Sequence, residues 1–275
     1  MIDDPAPENW PAEARRLAAG IRRRTLDIAI SQNGAYLGQA CSSAEILATL
    51  HCRTLNPANG DVFVLSPAHY SLALFALMVE LGTLPEAALA SYNQDGSALE
   101  MIGGRGAPGM VFTTGSLAQG LSQAIGLALA KRHKGEPGRV VVYLSDGELQ
   151  EGQTWEAFMT LAHYRLSSVL VVLDLNDSQV DGAPAGIMTI EPIRAKLAAF
   201  GLDAVEIDGH DCRAIDEALS RPIADAPRAV LCRTRIWQGF PSLKSRTNLH
   251  YVRFRPGEAE LARADLATHE RAAAP

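Results

Sequence analysis

The sequence predicts an α/β domain: a parallel β-sheet with helices on both faces. Three observations carry this expectation. Five short runs rich in β-branched residues, at 62–65, 140–144, 169–173, 204–207 and 229–232, are apolar on both alternating faces, as strands buried on two sides must be. Helical stretches separate them, which is the connection parallel neighbours require. With 275 residues, 47% of them apolar, the chain can bury one large sheet.

The elements follow in order. Residues 1–10, acidic and Pro-rich, read as unstructured, and 11–30 as a helix. After the strand at 62–65 comes an apolar helix over 69–81 that Gly82 can stop. The stretch 116–133 reads as a helix opened by a capping box of Ser116 and Gln119 and closed before Gly135. The strand at 140–144 leads through Asp146-Gly147 into a helix from Glu148 to about residue 164. Residues 258–273 are Ala-rich and fit a last helix or a loose tail equally well. The main domain is therefore expected over 11–254, with 255–275 as an appendage.

Bulk properties narrow the partners. A net charge of −6, from 25 Lys and Arg against 31 Asp and Glu, opposes binding to nucleic acid or an anionic membrane. The four cysteines include no C-x-x-C pair, so neither a zinc site nor a disulfide framework is indicated. No apolar run approaches the roughly 18 residues of a membrane span, and no targeting segment opens the chain. A cytoplasmic protein acting on a small molecule is expected.

The chemistry is concentrated at 140–182. Groups just beyond the carboxyl ends of neighbouring parallel strands converge on one crevice, which should bring Asp146 and Asn176 to one site. Their hard oxygens suit Mg²⁺, which takes its remaining positions from phosphate and water. The helix start at Glu148 would add free N–H groups and a positive dipole end for the same phosphate. Each residue also has a plainer reading. Asp-Gly after a strand is commonly a turn. His69 could merely open a helix, His250 could sit on a surface loop, and His210 could cap or turn. His51, His133, His163 and His269 have no case beyond packing or solvation, and Trp155 reads as core or interface. The G-x-G-x-x-G at 104–109 neither follows a clear strand nor opens a helix, so it is weak evidence for a dinucleotide.

Asp146-Gly147-Glu148 with Asn176 resembles the thiamine-diphosphate signature G-D-G followed by Asn. SDGELQEGQTWEA is similar to the transketolase form GDGELQEGQvWEA, and DLNDSQVDG to DyNglQiDG. TTGSLAQGLSQAIGLAL, DVFVLSPAH and VEIDGHD have counterparts in the same order, so the resemblance to transketolases covers about 12–254. It implies a thiamine-diphosphate-binding fold and a two-carbon ketol transfer from a ketose, or ketose phosphate, to an aldehyde. It further implies that Asp146, Asn176 and the carbonyl of Ser178 ligate Mg²⁺, and that Gly147 lets the chain approach the diphosphate. Gly115 and Leu117, with Ser116 between them, would meet the aminopyrimidine. His69 would contact the diphosphate or reacting centre, His250 would line the substrate channel, and Glu151 would join a carboxylate network linking two cofactor sites.

Departures from the family pattern shape the expectation. Ser145 and Ala118 replace glycines by small residues that should change little. Tyr36 stands where transketolases carry a histidine, and 98–104 lacks another, so xylulose 5-phosphate should be a poor donor. A 2-oxo-acid-decarboxylating acyl or ketol transferase, or a cofactor-binding subunit without turnover, are the alternatives. No second sheet remains in 255–275, and single-chain members far exceed one domain. The expectation is a split enzyme in which a second subunit brings the pyrimidine domain and activating glutamate, with two copies of each chain.

Overall fold

The computed structural model describes residues 9–222, 226–246 and 248–273. Strands β1 (Val62–Leu65), β2 (Val140–Ser145), β3 (Val169–Leu175), β4 (Asp203–Asp208) and β5 (Arg228–Arg233) form one sheet in the order β1-β2-β3-β5-β4. Every neighbouring pair is parallel. The helices are α1 (Trp10–Ser31), α2 (Leu37–Thr49), α3 (Ser71–Glu80), α4 (Glu86–Leu89) and α5 (Gln119–Lys134), followed by α6 (Gly152–His163), α7 (Pro184–Ile187), α8 (Ile193–Ala199), α9 (Cys212–Ser220) and α10 (Glu258–Ala273). No helix among the described residues is long and apolar enough to cross a membrane.

The period-two alternation of the strands divides the core. Leu65, Val141, Tyr143, Leu170, Val172, Val230 and Cys232 pack against α1, α2, α3 and α9. The intervening Val64, Val140, Val142, Leu144, Val171, Leu173 and Leu231 pack against α5, α6 and α8. Both faces are dry, which is why these strands read as unbroken apolar runs. Burying each such side chain contributes about 1.5–3 kcal/mol.

Several helix starts differ from the sequence expectation; α3, for one, begins at Ser71 after a tight turn rather than at 69. α5 begins at Gln119, so Ser116 remains in the loop and forms no cap; Ala118 precedes the helix in the left-handed region, at φ 67°. A side chain there costs roughly 1–2 kcal/mol, so the replacement of glycine at 118 is not neutral. The capping box forms instead at Ser145 and Glu148, around a tight turn over Asp146–Gln150. Extended backbone at Glu151 then separates that turn from α6. α1 already includes Trp10, within the stretch expected to be unstructured; residues 1–8 lie outside the described residues.

Sequence patterns do not reveal α2. All thirteen of its residues are buried, so it has no polar face and no amphipathic period. Arg22 of α1 reaches Glu45 of α2 through two bonds of 2.7 and 2.6 Å inside the core, and His210 Nδ1 lies 2.9 Å from the same carboxylate. α10 is packed rather than loose: Ala262 and Leu266 enter a cluster with Leu26, Leu37, Phe240, Leu249 and Val252.

Candidate active site

The site grows from the carboxyl edge of β2 and β3. Ser145 pairs in register with Asp174, so Asp146 and Asn176 leave the sheet side by side. The loop that follows β3 ties them together: the Asp177 N–H donates to Asp146 Oδ2 at 3.0 Å and the Ser178 N–H to Asn176 Oδ1 at 3.0 Å. Asp177 adopts φ 56° to make that turn. Asp146 is 3% exposed and Asn176 6%.

Asp146 has no cationic partner among the described residues. Burial, and next the nearby Asp174 carboxylate, push its pKa up to about 7 against the backbone N–H groups of Asp177 and Gly147. A buried carboxylate in that condition is matched to an added cation. No cluster of three or more His, Cys, Asp or Glu side chains forms a metal site among the described residues. A cation here would therefore draw most of its ligands from carbonyl, amide, phosphate and water oxygens, as Mg²⁺ does.

Asp146 opens onto a cleft of about 340 Å³ whose lining includes Tyr36, His69, Gly115, Leu117, Gly147, Glu151, Ser178, Gln179 and His250. A Cβ on Gly147 would meet only Gln179 Nε2, at 3.6 Å, so the space over that backbone is left for a ligand. Gln179 Nε2 is itself buried without a hydrogen-bond partner among the described residues. This leftover donor beside an open glycine suits an anionic group; nothing in the spacing of the sequence singles out Gln179.

The histidines meet across the cleft. His69 follows β1 in a tight turn at Ala68–Tyr70, and its ring centre lies 5.0 Å from that of His250. Burial, and then His250, lower the pKa of His69 to about 3; burial lowers that of His250 to about 4. Both rings are neutral near pH 7. Tyr36 packs 5.4 Å from each, closing one wall with an aromatic face where the resemblance implied a histidine.

Glu148 and Ser116, both expected site residues, lie outside the cleft lining. Glu148 is fully buried and absent from the cleft lining. Its carboxylate accepts from Ser66 Oγ, from the Ala118 N–H at 3.0 Å and from the Ser145 N–H at 2.9 Å. It braces the loop that carries Gly115 and Leu117, and burial holds its pKa up even against those donors. Ser116 is exposed and also outside the lining. Glu151 lies exposed at the rim.

A second set of residues, unread from sequence, supports the first. Asn176 Nδ2 donates to the Tyr70 hydroxyl at 2.9 Å, and that hydroxyl donates to Asp174 Oδ2 at 2.9 Å. Asp174, fully buried, also accepts from Ser42 Oγ at 2.6 Å and from Thr234 Oγ1. A lone carboxylate in an otherwise apolar strand was the available signal.

Comparison with known proteins agrees with this geometry. The chain is 31% identical over 264 residues to an apulose-4-phosphate transketolase subunit from Actinobacillus succinogenes, covering 92% of this chain and 96% of that one. It is 35% identical over 231 residues to the 6-deoxy-6-sulfo-D-fructose transketolase subunit SqwG of a Clostridium species, covering 81% and 80%. The crystal structure of transketolase from Campylobacter jejuni superposes with a TM-score of 0.80 at 21% identity, over 96% of this chain but 48% of that longer one. Residues 13–272 match the family described as transketolase, thiamine diphosphate binding domain, and the chain belongs to that family.

Proposed function

We propose that the chain is the thiamine-diphosphate-binding, N-terminal subunit of a two-component transketolase that moves a two-carbon ketol unit from a ketose or ketose phosphate to an aldehyde. The observation that carries this reading is the convergence of Asp146 and Asn176, from adjacent strands, beside a cleft lined by His69 and His250. The relatives named as transketolase subunits are similar in extent to this chain, which supports a division of the enzyme between two polypeptides.

In this reading Asp146, the Asn176 carboxamide oxygen and the Ser178 carbonyl hold Mg²⁺, and the diphosphate lies against Gly147 and Gln179. When bound, thiamine diphosphate supplies the electron sink for breaking and remaking a carbon–carbon bond beside a carbonyl. The chain itself positions the reactants. His69 and His250, neutral, offer hydrogen bonds to sugar oxygens without adding charge. No Lys or Arg among the described residues lines the cleft, so in this reading recognition of an acceptor phosphate falls to the second subunit, which also brings the pyrimidine domain and activating glutamate. Glu151 is exposed at the rim and in this reading would face the interface where two copies of each chain complete two sites. The four cysteines are unpaired, which supports a reducing, cytoplasmic setting.

One observation favours a second reading. The Tyr36 ring occupies the wall between His69 and His250, and a 2-oxo-acid donor needs no histidine there. Product analysis with a 2-oxo acid against a ketose separates the two. The metal assignment is tested by calorimetry on the assembled enzyme: Asp146→Ala should abolish thiamine diphosphate binding, and unchanged affinity would remove Asp146 from the site.

A further inference from the structure

Gln39 lies in the first turn of α2, beside the cleft but outside its lining. Its side chain is buried, and its Nε2 stands 2.7 Å from Nδ1 of His250. Among the described residues it is the ring's one hydrogen-bond partner. The approach is built into the backbone. The Gly38 N–H donates to the Leu249 carbonyl at 3.2 Å, and Ala35 and Val252 exchange bonds of 3.2 and 2.8 Å. A Cβ on Gly38 would stand 2.4 Å from the Leu249 oxygen, so glycine lets α2 come this close to the segment carrying His250.

A neutral imidazole carries one ring proton, and the partner of one nitrogen decides where it sits. An amide N–H directed at Nδ1 makes that atom the acceptor and leaves the proton on Nε2. Reversing the amide would place its NH₂ group where Oε1 now lies, a buried position without a hydrogen-bond partner among the described residues. An under-satisfied carbonyl oxygen is better tolerated there than orphaned N–H groups. That asymmetry selects the amide orientation and, with it, the tautomer.

We propose that Gln39 is a positioning residue that holds His250 as the Nε2–H tautomer, so that the cleft is offered a hydrogen-bond donor for a hydroxyl or carbonyl oxygen of a polyhydroxylated ligand. Only the use of that donor rests on the two-component transketolase reading. Gln39 touches no reacting atom; it acts through the ring.

The test is nuclear magnetic resonance of the full chain with isotopically labelled histidine, in which the two tautomers have distinct ring-carbon and nitrogen shifts. The wild type should show His250 as Nε2–H alone. Gln39→Met should populate both tautomers, and Gln39→Glu, whose carboxylate only accepts, should shift the proton to Nδ1. An Nδ1–H ring in the wild type, which needs no variant to observe, would overturn the proposal. So would one unchanged tautomer across all three proteins. With the partner chain, Gln39→Met should raise the donor's KM about three- to tenfold, the range of one hydrogen bond, with less change in kcat. A shifted tautomer with an unmoved KM would refute the role in binding. Absence of any ketol transfer by the wild-type pair would refute the functional reading while leaving the tautomer result to stand or fall by itself.

Discussion

The amide nitrogen of Asn176 donates to the hydroxyl of Tyr70 at 2.9 Å and to Asp174 Oδ2 at 3.3 Å, and these bonds set which end of the amide serves the site. Because Tyr70 donates onward to Asp174, its oxygen is free to accept, and the Asn176 oxygen is turned to the Ser178 N–H on the other side. The proposed metal ligand thus has a phenol among its hydrogen-bond partners, one that no strand-end pattern identifies.

Tyr70→Phe removes this partner while keeping the ring, and leaves the amide to Asp174 at 3.3 Å and the Ser178 N–H at 3.0 Å. The metal-dependent affinity for thiamine diphosphate should fall about tenfold or more, in the range known for lost outer-shell partners. Stability should fall by about 1–3 kcal/mol, since Asp174 loses a donor in the core. Calorimetric titration of the assembled enzyme reads the first effect and denaturant unfolding the second. An unchanged affinity would mean that Asn176 is oriented by other contacts.

Asp146 should make the metal-free chain sensitive to pH. Its folded pKa of about 7 lies above the ordinary carboxyl value of about 3.9, so between those limits the folded state holds a proton the unfolded state has lost. Stability from this group falls as pH rises from about 4 to 7, and the full penalty persists above. Asp146→Asn should therefore stabilise the metal-free chain most at pH 8 and lose its advantage toward pH 4. Each kcal/mol relieved should appear as about 2–4 °C in Tm. A benefit independent of pH would contradict the burial argument.

Tyr36 should set donor choice. Its ring packs on both cleft histidines where the family resemblance implied a histidine, so a donor hydroxyl would lose a partner at a cost of about 1–3 kcal/mol. Xylulose 5-phosphate should be turned over poorly by the wild-type pair of chains, and Tyr36→His should raise its kcat/KM severalfold or more. Efficient wild-type turnover with no gain in the variant would show that other groups hold the donor.

What was readable in the sequence followed from burial. β2 and β3 were visible because both faces of each strand are buried and apolar, whereas the half-exposed edge strand β4 showed only through Ala204, Val205 and Ile207; Asp146 and Asn176 stood out as polar residues at the ends of the buried runs. α2 was invisible for the same reason carried further: with every side chain buried, no polar face marks its period. Ser116 and Gln119 carry the capping pattern, yet Glu148 claims the Ala118 N–H from another part of the chain and delays the helix. Gln39 and Tyr70 act through partners distant in sequence, so spacing held no trace of them.

If this chain holds one half of a shared active site, activity should appear only on mixing with the other half. The purified chain and a chain carrying the pyrimidine domain and activating glutamate are assayed separately and together, with thiamine diphosphate, Mg²⁺, a ketose donor and an aldehyde acceptor. The account predicts no carbon–carbon transfer by either chain alone and transfer by the mixture, abolished in it by Asp146→Ala. Transfer by this chain alone, at the rate of the mixture and free of host enzyme, would contradict it.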